Sequence, residues 1–222
     1  MNILNFSKKI IGFVIEILFP SHCLSCNKSN EIICDDCLLK IRLADRETRE
    51  NIIAVFDYRD PVIKKAIWRL KYYHQKYFGE RLGKILYEYT KDEVADLKFL
   101  SSGKAIMVVP VPISKRRQSF RGYNQSIILA KGFCKEDKEN LELAVDLVYK
   151  KNETEAQAKI KDRASRLKNI RGSFEIFGNK NIKGRTIIII DDVTTTGGTM
   201  LEIAKILKKS GAKKVVGYAL AH

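Results

Sequence analysis

Two adjacent carboxylates, Asp191 and Asp192, follow four isoleucines and precede a threonine-glycine turn in the string IIIIDDVTTTGGTM, residues 187–200. Four β-branched residues in a row suit a short strand buried on both faces, which delivers both acids to its carboxyl end. Thr194, Thr195, Thr196, Gly197, Gly198 and Thr199 then make the turn. Gly197 and Gly198 let the backbone approach an anion closely. The threonine hydroxyls and successive N–H groups can donate to it, and a helix beginning near Thr199 points its positive end inward. A nucleotide-hydrolase loop reads GxxxxGK[ST], and this turn contains no lysine. Acids beside such a cradle repel a bare polyphosphate but suit sugar hydroxyls or a bound Mg²⁺. The chemistry indicated is recognition of a phosphorylated sugar.

This arrangement resembles the binding motif of type I phosphoribosyltransferases, whose T-T-G-G-T loop holds the 5-phosphate of phosphoribosyl pyrophosphate (PRPP). The surrounding pattern supplies the elements that such a motif needs. Met200, Ala204 and Leu207 share one helical face, Lys205, Lys208 and Lys209 crowd the last turns, and Gly211 follows as a C-terminal cap, so the helix is expected to end near Ser210. VVGYALA, residues 215–221, reads as another buried strand and completes a βαβ unit. AIMVVPV, residues 105–111, is a further buried strand, ended abruptly by Pro110 and Pro112. Pro112, Ile113, Ser114, Lys115 and Arg116 then occupy the place of the pyrophosphate loop. Ser114 can cap a helix whose first residues, Lys115, Arg116 and Arg117, face a diphosphate.

A second cluster lies near the amino terminus, where Cys23-x2-Cys26 and Cys34-x2-Cys37 form two knuckles seven residues apart. Each offers two thiolates to one tetrahedral ion, and four soft ligands with no open position describe a structural Zn²⁺ site. His22 adjoins the first knuckle but is not needed as a ligand. Cys134, alone in a helical pattern, reads as a small core residue. MNILNFSKKIIGFVIEILFP imitates a secretion signal, with Lys8 and Lys9 ahead of an apolar run, but Glu16 interrupts the run and no small-residue cleavage site follows. The chain is therefore expected in the cytoplasm, where thiols stay reduced and zinc outranks two disulfides. Residues 1–20 suit an amphipathic helix, either docked on the body or touching a membrane surface or partner.

With 222 residues and 45% apolar content, the chain can fill one α/β domain and a small appendage. Four of its five cysteines fall before residue 45, which sets the expected organisation: an amphipathic helix at 1–20, a zinc ribbon at 21–45 and an α/β domain at 46–222. The net charge of +15 implies polyanionic company. Its distribution is uneven. Residues 97–135 hold no acid, and residues 159–171 only Asp162. Within the first run Arg116, Arg117 and Arg121 interleave with Phe120 and Tyr123, a combination of cations for phosphates and aromatics for unpaired bases that favours single-stranded DNA.

The cysteine pairs after LFP, the run VPVPISKRRQSFRGYNQ, Thr154-x2-Gln157 followed by Arg166-x2-Asn169 and Phe174, and the final DDVTTTGGT together resemble the ComF family, in the right order over nearly the whole chain. Arg121-Gly122-Tyr123-Asn124-Gln125 is the most family-specific piece; Asp57-Tyr58 and the helix through Trp68, Leu70 and Lys71 also fit. The family tends to have alanine where Gly198 stands and arginine at Lys150 and Lys151. The resemblance implies an α/β type I phosphoribosyltransferase-like core with a mainly parallel sheet behind a zinc ribbon, acting in natural competence, the uptake of external DNA. It implies PRPP with Mg²⁺ at residues 194–199, with Asp191 and Asp192 positioning the ribose and its developing positive charge. A loop at residues 152–166 would close over the site, with Arg163 or Arg166 on the pyrophosphate. Two functions follow. One is a PRPP-binding accessory of transformation that engages single-stranded DNA or a helicase. The other is a true phosphoribosyltransferase of nucleobase salvage, for which no acceptor-base hood is legible.

Overall fold

The structure, a computed structural model, describes residues 22–29, 31–44, 47–49, 51–72, 76–151, 172–177 and 181–222. The readings of residues 1–20 as a helix and of 152–166 as a closing loop lie outside them, as does the basic tract at 159–171. The chain divides into two compact units at Ile41 and Arg42. The division falls before the expected boundary because residues 42–44 already belong to the larger unit. Ala44 N–H donates to Val55 O, Asp57 N–H donates to Arg42 O, and Leu43 bridges to Phe56.

In the larger unit six strands form one sheet in the order β1-β2-β8-β7-β3-β4. The strands are β1 (Glu47–Arg49), β2 (Ile52–Phe56), β3 (Ile106–Pro110), β4 (Leu141–Leu143), β7 (Thr186–Val193) and β8 (Lys214–Ala221). Only β1 runs antiparallel; β2, β8, β7, β3 and β4 are mutually parallel. β5 (Val148–Lys150) and β6 (Phe174–Ile176) pair separately as an antiparallel ribbon. The isoleucine run behaves as its composition requires. Ile187 to Ile190 are all 0% exposed, since helices cover both faces of a central parallel strand.

One face carries α6 (Gly198–Lys209), whose Met200, Ile203 and Leu207 pack with Ile187, Ile189, Val109 and Val215. The other carries α3 (Lys76–Leu100) and α5 (Gln125–Lys135), with the Phe133 ring 6.1 Å from that of Tyr218. These two helices cross backbone to backbone. A Cβ on Gly83 would sit 2.1 Å from Leu129 O, and one on Gly132 would sit 2.1 Å from Glu80 O, so any side chain there pushes the helices apart. Cys134 is buried in this layer, and burial pushes its thiol up to about 12. α2 (Pro61–Tyr72) follows β2, and α4 (Lys115–Arg121) stands between β3 and α5. Because the central strands are parallel, the turns after β2, β7 and β3 open on one edge of the sheet, where the crevice of such folds lies.

Candidate functional site

Asp191 and Asp192 lie inside β7, ahead of its last residue, so each side chain takes a fixed side of the strand. Asp191 is half-buried and Asp192 only 4% exposed. The Asp191 Oδ1 accepts from Ser126 Oγ at 2.9 Å and from the Asp192 N–H at 2.9 Å. Burial, and then the charge of Asp192 beside it, hold the Asp191 carboxyl well above the ordinary range despite those donors. Lys71 Nζ stands 2.8 Å from Asp192 Oδ2, and Gln125 Nε2 lies 3.4 Å from Oδ1. Oδ2 is buried, and apart from the Lys71 ion pair it has no hydrogen-bond partner among the described residues. An ionised carboxylate can accept about four such bonds, so the pair retains acceptor capacity for a ligand.

Beyond β7 the chain turns through residues 194–197 into α6. Gly197 is the N-cap, with φ of 71°, a left-handed conformation open to glycine at little cost. Gly197 offers no side-chain cap and the first turn holds no acid, so no carboxylate within that turn offsets the helix dipole. Within the turn Gly198 N–H lies 3.4 Å from Thr196 Oγ1. Thr194 is buried, its N–H donating to Ala221 O, while Thr195 is exposed and its carbonyl lies 2.8 Å from His222 Nε2. Strand end and final residues of the chain thus brace the loop from one side.

After β3, Val111 N–H donates to Ile190 O, which ties the exit of this strand to that of β7. Ser114 caps α4 as expected, its Oγ 3.4 Å from Arg117 N. Pro112 and Ile113 are half-exposed, and Lys115, Arg116, Arg117 and Phe120 are exposed; α4 has no buried residue at all. A helix that buries nothing is not held by its own packing, and Lys115, Arg116, Arg117 and Phe120 are turned to solvent.

The string RGYNQ differs in role from the basic residues that precede it. Gly122 closes α4 in the left-handed region, and the Tyr123 hydroxyl donates to Leu70 O in α2. Asn124 caps α5 through Ser126 N at 3.0 Å and holds Val111 O at 2.9 Å. Arg121 donates to Gln125 Oε1 at 3.0 Å, and Gln125 passes its amide on to Asp192. The DNA-binding set inferred from sequence is therefore split. Arg116, Arg117 and Phe120 face outward, whereas the Arg121 and Tyr123 side chains are engaged within the fold. Lys71, Gln125 and Ser126, which surround the acids, carry no functional signal of their own in the sequence. For Gln125 the available signal is its place in the family string; for Lys71 it is the helix at 61–72.

In the smaller unit the four sulfurs of Cys23, Cys26, Cys34 and Cys37 all lie within 4.8 Å of one another, and none is disulfide-bonded. Cys26 Sγ and Cys34 Sγ are 3.6 Å apart, close to the ~3.8 Å edge of a tetrahedron with metal–sulfur bonds of about 2.3 Å. The knuckle geometry is made by the backbone. Asn27 takes φ of 65°, Asn27 N–H returns to Cys23 O, and α1 (Asp35–Leu38) starts directly after Cys34. Burial disfavours the Cys23 thiolate, but the N–H groups of Cys26, Cys34 and Ser25 outweigh it and bring the thiol down to about 6. Four sulfurs so placed can hold a metal such as zinc. His22 is not among them; it pairs with Ser29 instead.

The phosphoribosyl transferase domain family matches residues 128–222, a stretch that contains both acids and the loop. Competence protein F of Haemophilus influenzae is 31% identical over 176 residues, covering 78% of this chain and 72% of that protein. The chain belongs to the ComF family. Competence protein ComFC of Bacillus subtilis, 27% identical over 219 residues, covers 96% of this chain and 79% of its own. DNA utilization protein YhgH of Escherichia coli K12 is 29% identical over 178 residues, or 77% of this chain and 71% of that one. The ComF pattern thus comprises a type I phosphoribosyltransferase-like core with a mainly parallel sheet and a four-cysteine cluster ahead of it. Among the described residues, no helix is long and apolar enough to cross a membrane.

Proposed function

We propose that this chain binds PRPP with Mg²⁺ and acts in DNA uptake from the cytoplasm, engaging single-stranded DNA. The observation that carries the sugar half is the buried Asp192 Oδ2, which has no donor besides Lys71 among the described residues, at the same sheet edge as a helix amino terminus without a side-chain cap. Ribose hydroxyls or a metal supply what that oxygen lacks, and the 5-phosphate supplies the anion that α6 lacks. In this reading residues 194–199 hold the phosphate, Pro112, Ile113, Ser114, Lys115 and Arg116 meet the pyrophosphate, and Asp191 and Asp192 take the ribose. These residues fit Mg²⁺, a hard cation that binds through carboxylates and phosphate oxygens, and when bound it would neutralise pyrophosphate charge. The chain's own contribution is to set Asp192 beside Lys71 and to hold Asp191 through Ser126. Isothermal calorimetry with PRPP and Mg²⁺ tests the proposal: a saturable one-to-one isotherm is expected, and none at millimolar ligand rejects it.

The competence half is supported by what the relatives are called, competence proteins and a DNA utilization protein. Arg116, Arg117 and Phe120 on exposed α4 are the surface for the strand. A competence helicase and a membrane surface met by residues 1–20 complete the partners. The four thiolates hold structural Zn²⁺, and elemental analysis of the purified protein should return one zinc per chain. The second reading, nucleobase salvage, is favoured by Gly198, where the family tends to alanine and working transferases to glycine. Pyrophosphate release from PRPP across a panel of bases separates the two.

A further inference from the structure

α2 buries Ile63, Ala66, Ile67 and Leu70 and turns the opposite stripe outward. That stripe is Lys64, Lys65, Trp68 and Tyr72, each three or four positions from Trp68 and therefore beside it on the helix surface. Trp68 is 53% exposed and Tyr72 45% exposed, large apolar area for a helix whose other face is already buried. Their rings stand together, with centroids 5.9 Å apart. The Arg121 guanidinium lies 5.6 Å from the Tyr72 centroid, and Tyr123 is bonded to Leu70 O, so α4 and the last turn of α2 meet here. Lys71, the residue before Tyr72 in the same last turn of α2, reaches Asp192 at 2.8 Å. The aromatic pair thus borders the sugar site through one helical turn.

Charge indicates the occupant. α2 carries Lys64, Lys65, Arg69 and Lys71, and α4 carries Lys115, Arg116, Arg117 and Arg121, with no acid in either helix. A polyanion is the complementary partner. The two rings are tilted 53° to one another, so each presents its own face, and a base offers a face to stack on one only when it is unpaired. We propose that Trp68 and Tyr72, flanked by Arg121, form a stacking platform for the bases of single-stranded DNA. The backbone of the strand follows the cations of α2 and α4. This rests on the reading that the chain engages single strands and adds two stacking rings to the surface of α4, whose one aromatic is Phe120.

Trp68 is the only tryptophan in the chain, so its emission reports the platform directly. Titrating the full-length protein with a thymidine oligonucleotide at low salt should quench that emission. Trp68→Ala and Tyr72→Ala should each weaken binding of a labelled oligonucleotide by about tenfold, the scale of one lost stacking contact, while Trp68→Phe restores most of it. PRPP affinity by calorimetry should stay unchanged in Trp68→Ala. Four results overturn the platform: oligonucleotide binding with no change in emission, equal binding by Trp68→Ala, duplex binding as tight as single-strand binding, or quenching by free bases with PRPP but not by oligonucleotides. The first two leave single-strand engagement by α4 intact. The third rejects single-strand selectivity, and the fourth makes the site an acceptor-base pocket. No oligonucleotide binding at all rejects the underlying reading instead.

Discussion

Asp57 and the pair Asp191–Asp192 sit at the same edge of one parallel sheet, at the ends of β2 and β7, yet they are opposites in electrostatics. The Asp57 side chain is 7% exposed and fully supplied with donors. Arg59 gives it a backbone N–H at 2.8 Å and guanidinium contacts down to 2.7 Å, and Arg42 stands 3.6 Å away. Those hydrogen bonds and charges hold its carboxyl well below the usual carboxylate range. Asp191 has two neutral donors, a second carboxylate as neighbour and a raised pKa; Asp192 has the Lys71 ion pair and, among the described residues, no further donor to Oδ2. An acid that is satisfied stabilises the fold. An acid pair held together in deficit is strained until something outside the chain supplies donors, and that contrast marks the site.

The contrast can be broken most sharply at the pair itself. Replacing Asp191 and Asp192 together by Asn should weaken PRPP binding about 100-fold or more, because two charge-assisted acceptors are lost. Unchanged affinity in calorimetry would remove the ligand from this edge. Asp57→Asn should do the reverse, lowering the midpoint of thermal unfolding by several degrees while PRPP binding holds. Since the folded pKa of Asp57 is depressed, its stabilisation is present above the ordinary value of 3.8 and is lost as pH falls below it. Acid unfolding of the variant should therefore be shallower than that of the parent chain.

Lys71→Met tests how far the lysine compensates the pair. Loss of its charge should weaken PRPP binding by roughly 3- to 10-fold and raise the pH of half-maximal binding, since the two carboxylates then repel without a counter-charge. The smallest effect has the most diagnostic sign. Asp191→Asn alone should stabilise the unliganded protein at pH 7 by about 0.5–2 kcal/mol, as replacements of strained site residues commonly do. A carboxyl whose folded pKa is raised gives its full stability below its unfolded pKa and loses it as pH rises through the folded value. The advantage of the Asn variant should hence vanish as pH is lowered toward 3.8. Thermal unfolding at several pH values reads both effects, and a variant less stable at pH 7 would show that the pair is as satisfied as Asp57.

Much of this architecture is legible in the order of the residues alone. The expected strands at 105–111 and 215–221 appear as Ile106–Pro110 and Lys214–Ala221, and the helix expected near Thr199 to Ser210 as Gly198–Lys209. Runs of β-branched residues and a glycine-threonine turn are local signals, and their chemistry is complete within a dozen residues. Ser114 as a helix cap and the four cysteines as one cluster are readable for the same reason. Function is less evenly readable along the basic run. Composition groups Arg116, Arg117, Phe120, Arg121 and Tyr123 as one surface, but Gly122 ends α4 between them and turns the last two toward α2 and Gln125.

By itself, then, the amino-acid sequence determined the elements, the zinc-type cysteine spacing, the threonine-glycine turn and the identity of the acids, because each depends on neighbours a few positions away. Only the tertiary structure decided which residues complete the site. Lys71 meets Asp192 from 121 positions away and Ser126 meets Asp191 from 65, contacts made when α2 and α5 dock on the sheet. The same docking gives Asp191 only neutral donors, while Asp57 is held by the Arg59 guanidinium. Solvation, charge pairing and the direction of a hydrogen bond are properties of assembled space, and no spacing along the chain encodes them.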